Sequence, residues 1–87
     1  MTASEIQRLI MQGLPAAEVQ VSSQDGTHFQ AQVIAASFSG KPSLMRHKMV
    51  YATLGERLGR EIHALSLRTL TPDEARQRNS RASAGHP

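Results

Sequence analysis

The sequence predicts a small two-layer α+β domain, within the broad α/β class, in the order α-β-β-α-β-α. Three observations predict it. Two capping boxes and runs of apolar residues at helical spacing mark helices. Three stretches alternate apolar and polar residues, as half-buried strands do. An Asp-Gly pair separates the first two of these stretches and signals a hairpin, whereas a helix separates the second from the third. A strand that arrives after a helical crossover favours a parallel partner and a right-handed connection. The expectation is a three-stranded mixed sheet with its helices on one face.

Each element has its own local cause. Thr2-Ala3-Ser4-Glu5 has the capping-box spacing, and Ile6, Leu9, Ile10 and Leu14 recur at helical spacing behind it. Gly13 and Pro15 are expected to stop this helix by ordinary C-terminal chemistry. Ala17, Val19 and Val21 alternate with Glu18, Gln20 and Ser22 to give a first strand. After Asp25-Gly26, Phe29, Ala31, Val33 and Ala35 alternate with polar partners to give the return strand. Phe38 to Pro42 reads as a loop, and Ser43 as the cap of a long helix reaching about Arg60. Leu44, Val50, Tyr51, Leu54 and Leu58 form its expected buried stripe, with Glu56–Arg60 and Arg57–Glu61 paired on its wet side. Ile62 to Leu70 alternates again, with Leu65 and Leu67 on one face. Thr71-Pro72-Asp73-Glu74 is a second capping box with proline at the first helical position, opening a short helix to about Arg78. The domain is expected over residues 1–78, with 79–87 a flexible C-terminal tail. The expected core includes Phe29, Val33, Val50, Leu54, Leu58, Leu65 and Leu67.

Composition narrows the function. Eighty-seven residues suffice for one domain with a small core and leave little room for a deep catalytic cavity. There is no cysteine, which excludes disulfides, thiol nucleophiles and a cluster held by this chain's own thiolates. No apolar run approaches the roughly 18 residues of a membrane span, and Met1 to Glu5 lacks a signal-peptide pattern, so the expected location is the cytoplasm. The formal net charge is +3. No Asp or Glu lies between Asp25 and Glu56, where Lys41, Arg46, Lys48, His28 and His47 are found. Lys41, Arg46, His47 and Lys48 are therefore the expected surface for an acidic partner or nucleic acid; the alternative is a solvated face that keeps the domain soluble.

No carboxylate pair suggests acid–base chemistry, and no nucleophile–base arrangement appears, so the chain is not expected to be an enzyme. The histidines carry more. His86 lies in the expected tail, and His47 sits near the buried stripe of the long helix, where packing explains it. His28 and His63 each open a strand. Adjacent parallel strands, about 4.8 Å apart, would bring both starts to one end of the sheet, where the pair could hold a metal. Two histidines leave such a site open and require exogenous ligands. Their parity differs, since His63 alternates in phase with Leu65 and Leu67, and His28 out of phase with Phe29. The competing reading is a core-capping histidine beside a surface one.

Taken in order, Asp25-Gly26-Thr27-His28-Phe29, Phe38-Ser39-Gly40-Lys41, Arg46-His47-Lys48-Met49-Val50-Tyr51, Ile62-His63-Ala64-Leu65-Ser66-Leu67 and Thr69 to Glu74 resemble the BolA family, of the YrbA/IbaG-like branch, over about residues 4 to 78. The resemblance implies a class II KH-like fold. It implies a heterodimer with a monothiol glutaredoxin that shares a [2Fe–2S] cluster, with glutaredoxin and glutathione supplying thiolates. On this chain the implied metal ligands are His63 and, as the match to a loop position, His28. The isolated chain is then a monomer or weak dimer that holds no cluster. Histidine in place of thiolate raises a cluster's potential, as in Rieske centres. The resemblance also implies transcriptional and stress-response roles, and the alternative function is a KH-like nucleic-acid-binding transcriptional or stress regulator that uses the basic stretch from Lys41 to Arg60. The KH signature is G-x-x-G, and Gly40-Lys41-Pro42-Ser43 lacks its second glycine. The third alternative is an interaction module without metal.

Overall fold

A computed structural model describes residues 1–60 and 64–84, with 79–84 as backbone only. The elements are α1 (Ala3–Gly13), β1 (Glu18–Ser22), β2 (His28–Ile34), α2 (Ser43–Leu54), β3 (Ala64–Leu70) and α3 (Pro72–Ala84). Short 3-10 turns occupy Ala36–Phe38 and Gly55–Arg57. The sheet order is β1-β2-β3, with β1 antiparallel and β3 parallel to the central strand. This is the mixed three-stranded sheet expected from the sequence.

Alternation sets which face is covered. Val19, Phe29, Ala31 and Val33 are buried on the inner face, and Leu65 and Leu67 are half-buried beside them. Ile6 and Ile10 of α1, and Val50 and Leu54 of α2, close that face into one cluster. Of the expected core, Phe29, Val33, Val50 and Leu54 are buried, whereas Leu58, Leu65 and Leu67 pack at its margin. Phe38, assigned from the sequence to a loop, is fully buried. The 3-10 turn after β2 turns its ring inward, and burial of a side chain that size is worth about 1.5–3 kcal/mol.

Four expectations about α2 and α3 need correction. First, α2 ends at Leu54, not near Arg60, because Gly55 takes φ 56° and its N–H returns to the Tyr51 carbonyl. The Glu56–Arg60 pair is therefore not an α-helical pair; Glu61 lies outside the described residues. Second, Ser43 is the first helical residue, and Pro42 takes the N-cap place without a side-chain cap. Third, Leu44 is 66% exposed, and Tyr51 only half-buried. Fourth, α3 runs to Ala84, beyond Arg78. The cap of α1 forms as expected, with Glu5 N–H donating to Thr2 Oγ1 at 3.2 Å. Thr71 and Glu74 close the second capping box in both directions, Glu74 N–H to Thr71 Oγ1 at 3.1 Å and Thr71 N–H to Glu74 Oε1 at 2.9 Å.

A candidate metal-binding corner and the basic helix

The parallel register pairs His28 with Ala64, Gln30 with Ser66 and Gln32 with Arg68. His28 thus opens β2 directly across from the residue that follows His63 in the chain. His63 itself, together with Glu61, Ile62 and His86, lies outside the described residues. The adjacency of the strand starts, on which a shared site depends, is present. The His63 position and its parity against His28 fall in the undescribed stretch.

His28 is built into the turn that precedes it. Asp25 Oδ1 accepts the backbone N–H groups of Thr27 and His28 at 2.9 and 2.8 Å, an aspartate turn typical of this residue. The other carboxylate oxygen, Oδ2, lies 2.7 Å from His28 Nδ1. Ser23 Oγ donates to the His28 carbonyl at 2.7 Å and accepts the Gly26 N–H at 2.9 Å. Gly26 adopts φ 77°, which glycine reaches without steric cost. The turn therefore joins β1 to β2 through Ser23 to Thr27, with Asp25 acting as an acceptor at its centre. Backbone donation from His28, the contact with its ring, and backbone donation from Thr27 hold the Asp25 carboxyl well below the usual carboxylate range. The His28 side chain is 73% exposed, on the sheet face opposite the core.

The donor set fits one end of a cluster and no more. The sequence has no thiolate, and among the described residues no group of three or more His, Cys, Asp or Glu could hold a metal. An exposed imidazole tied to a carboxylate is the arrangement that presents a metal-binding histidine in a fixed orientation. A cluster held here would take its remaining ligands from elsewhere.

The basic helix differs more from expectation. Arg46 is buried at 8% exposure and does not belong to an open surface. Its Nη1 and Nη2 donate to Glu74 Oε1 and Oε2 at 2.6 and 3.2 Å, Nε donates to the Lys41 carbonyl at 2.8 Å, and Nη1 to the Thr69 carbonyl at 3.3 Å. The guanidinium lies 5.9 Å from the centre of the Phe38 ring, within cation–π range. Contact with Arg46 is the main reason that the Glu74 carboxyl is lowered to about 2, with Thr71 N–H adding to it. Lys41 Nζ donates to the Ser37 carbonyl at 2.8 Å. His47 is half-buried, edge-on to Tyr51 with ring centres 6.3 Å apart, which is the packed reading. Lys48 alone of the four is exposed, along with Leu44 and Met45 on the same helix. Sequence reasoning missed the Arg46–Glu74 tie. A lone arginine on an amphipathic helix looks solvent-facing, and its partner lies on another element.

Comparison with known proteins settles the family. The sequence pattern of BolA-like proteins matches residues 7–74. The chain belongs to the BolA-like family. Human BolA-like protein 2 is 37% identical over 83 residues, covering 90% of this chain and 95% of that protein. The Escherichia coli DNA-binding transcriptional regulator BolA is 42% identical over 48 residues, 55% of this chain and 46% of that protein. The chain thus spans less than half the length of some curated relatives it matches. Among solved structures, a BolA homologue from Coxiella burnetii superposes with a TM-score of 0.79 at 42% identity, covering 87% of this chain and 97% of that one. The BolA-like fold therefore accounts for the sheet order and helix placement described above. Among the described residues, no helix is long and apolar enough to cross a membrane.

Proposed function

We propose that this BolA-like chain is a non-enzymatic iron–sulfur adaptor that binds a monothiol glutaredoxin and supplies histidine to a shared [2Fe–2S] cluster. The observation that carries the reading is the β2–β3 register, which sets exposed His28 beside the residue following His63 at one end of the sheet. The cluster is cargo, and it brings one-electron chemistry and lability to the complex. The chain's part is to bind and orient. His28 and His63 are the proposed ligands, and glutaredoxin and glutathione supply the thiolates that this sequence lacks. Such a complex requires a reducing compartment such as the cytoplasm.

The test mixes each variant with a cluster-loaded monothiol glutaredoxin and follows visible absorption and circular dichroism. His63→Ala should alter or abolish the spectrum of the bridged heterodimer. His28→Ala should keep a complex whose cluster is lost faster. A His63→Ala spectrum identical to wild type would overturn the ligand assignment.

The name of the Escherichia coli relative favours a second reading, a DNA-binding regulator. The structure lends it less support, because Arg46 is committed to Glu74 and Lys41 is tied to its own loop.

A further inference from the structure

We propose that Asp25 is the positioning residue that presents His28 to a metal through Nε2. This rests on the reading of His28 as a ligand and adds the device that makes it one. An aspartate is ionised at neutral pH and then only accepts hydrogen bonds. With Oδ2 2.7 Å from Nδ1, the ring must carry its proton on Nδ1. A neutral imidazole has one N–H, so the metal-binding lone pair falls on Nε2. The carboxylate cannot swing away cheaply, because its other oxygen holds the backbone N–H groups of Thr27 and His28. One side chain therefore shapes the turn, selects the tautomer and fixes the ring's direction. Carboxylate–histidine–metal triads work in this way, and loss of such a partner costs about 10–100-fold in metal affinity.

Asp25→Asn separates these roles. The amide oxygen still accepts the two backbone N–H groups, so the turn is retained. The amide nitrogen then faces Nδ1 as a donor, and the imidazole should move its proton to Nε2. The first measurement is nitrogen-15 NMR of the isolated chain's histidine rings, at a pH well above the ordinary imidazole range. Wild type should show His28 protonated on Nδ1, and Asp25→Asn on Nε2, with His47 unchanged and the fold's amide dispersion preserved. The second is a Co²⁺ titration of the isolated chain, read at the His28 ring signals. Asp25→Asn should weaken Co²⁺ binding there by about 10–100-fold. A wild-type His28 protonated on Nε2, or an Asp25→Asn variant with unchanged tautomer and Co²⁺ affinity, would overturn the assignment. Failure of the glutaredoxin reading shows separately, in the cluster spectra of His28→Ala, and both measurements on the isolated chain are independent of it.

Discussion

Gly13 is the last residue of α1, and its backbone is ordinary right-handed helix, not a left-handed cap. The role expected from the sequence, a glycine stop, is not the one it has. A Cβ at Gly13 would come within 2.8 Å of Thr53 Cβ and closer still to Thr53 Cγ2, so the glycine lets α1 and α2 approach. Gly13→Ala should therefore destabilise. Overpacking costs about 1–3 kcal/mol, against a gain of roughly 0.5–1 kcal/mol in helix propensity. A urea midpoint at or above that of wild type would contradict the close-approach argument. The sequence could not show this, because a helix-terminal glycine looks the same whether it serves the backbone or a neighbour. His28 was legible as a strand-opening histidine, while its bond to Asp25 was not. The Asp-Gly pair announces a turn and is silent about where the carboxylate points.

Elements were read best where the signal is local. Both capping boxes, the hairpin and all three strands follow from residues within a few positions of one another. Leu58 continues the spacing of Val50 and Leu54 and so predicts a longer α2, although Gly55 between them carries the stop. Phe38 has no sequence signal of burial, because a single ring in a short turn has no periodicity. The tie between α2 and α3 is likewise non-local. Glu74 caps α3 and holds Arg46 with the same carboxylate. Its carboxyl ionises at about 2 in the folded chain, against an ordinary 4.5, so the folded state favours the charged form. The stability this contributes is fully present above about pH 4.5 and is lost as pH falls from there to about 2. Glu74→Gln keeps a capping side chain but removes that titration and leaves Arg46 without its counter-charge. It should melt below wild type at neutral pH, with the gap closing across that acid window. Melting curves from pH 7 to pH 2 check this; a gap constant with pH would show that the ion pair adds nothing to folding.

At the scale of the whole molecule, net charge overstates the basic surface. The chain carries +3, but the acid-free stretch loses Arg46 to Glu74 and tethers Lys41. The expected consequence is weak, sequence-indifferent DNA binding that falls steeply with salt. A salt-titrated binding assay checks it, and nanomolar affinity for one specific site in physiological salt would favour the regulator reading. Fold class was legible because alternation and helix spacing together leave few ways to cover three strands. The proposed metal-binding corner was legible as two strand starts brought to one sheet end by the parallel pairing that a helical crossover favours, whereas the exact register, His28 opposite Ala64, has no sequence signal. That pairing also bears on timing during synthesis. His28 leaves the ribosome early, but β3 can dock beside it only after all of α2 has emerged and folded across the sheet. A truncated or stalled chain would present the turn and its imidazole without the second edge.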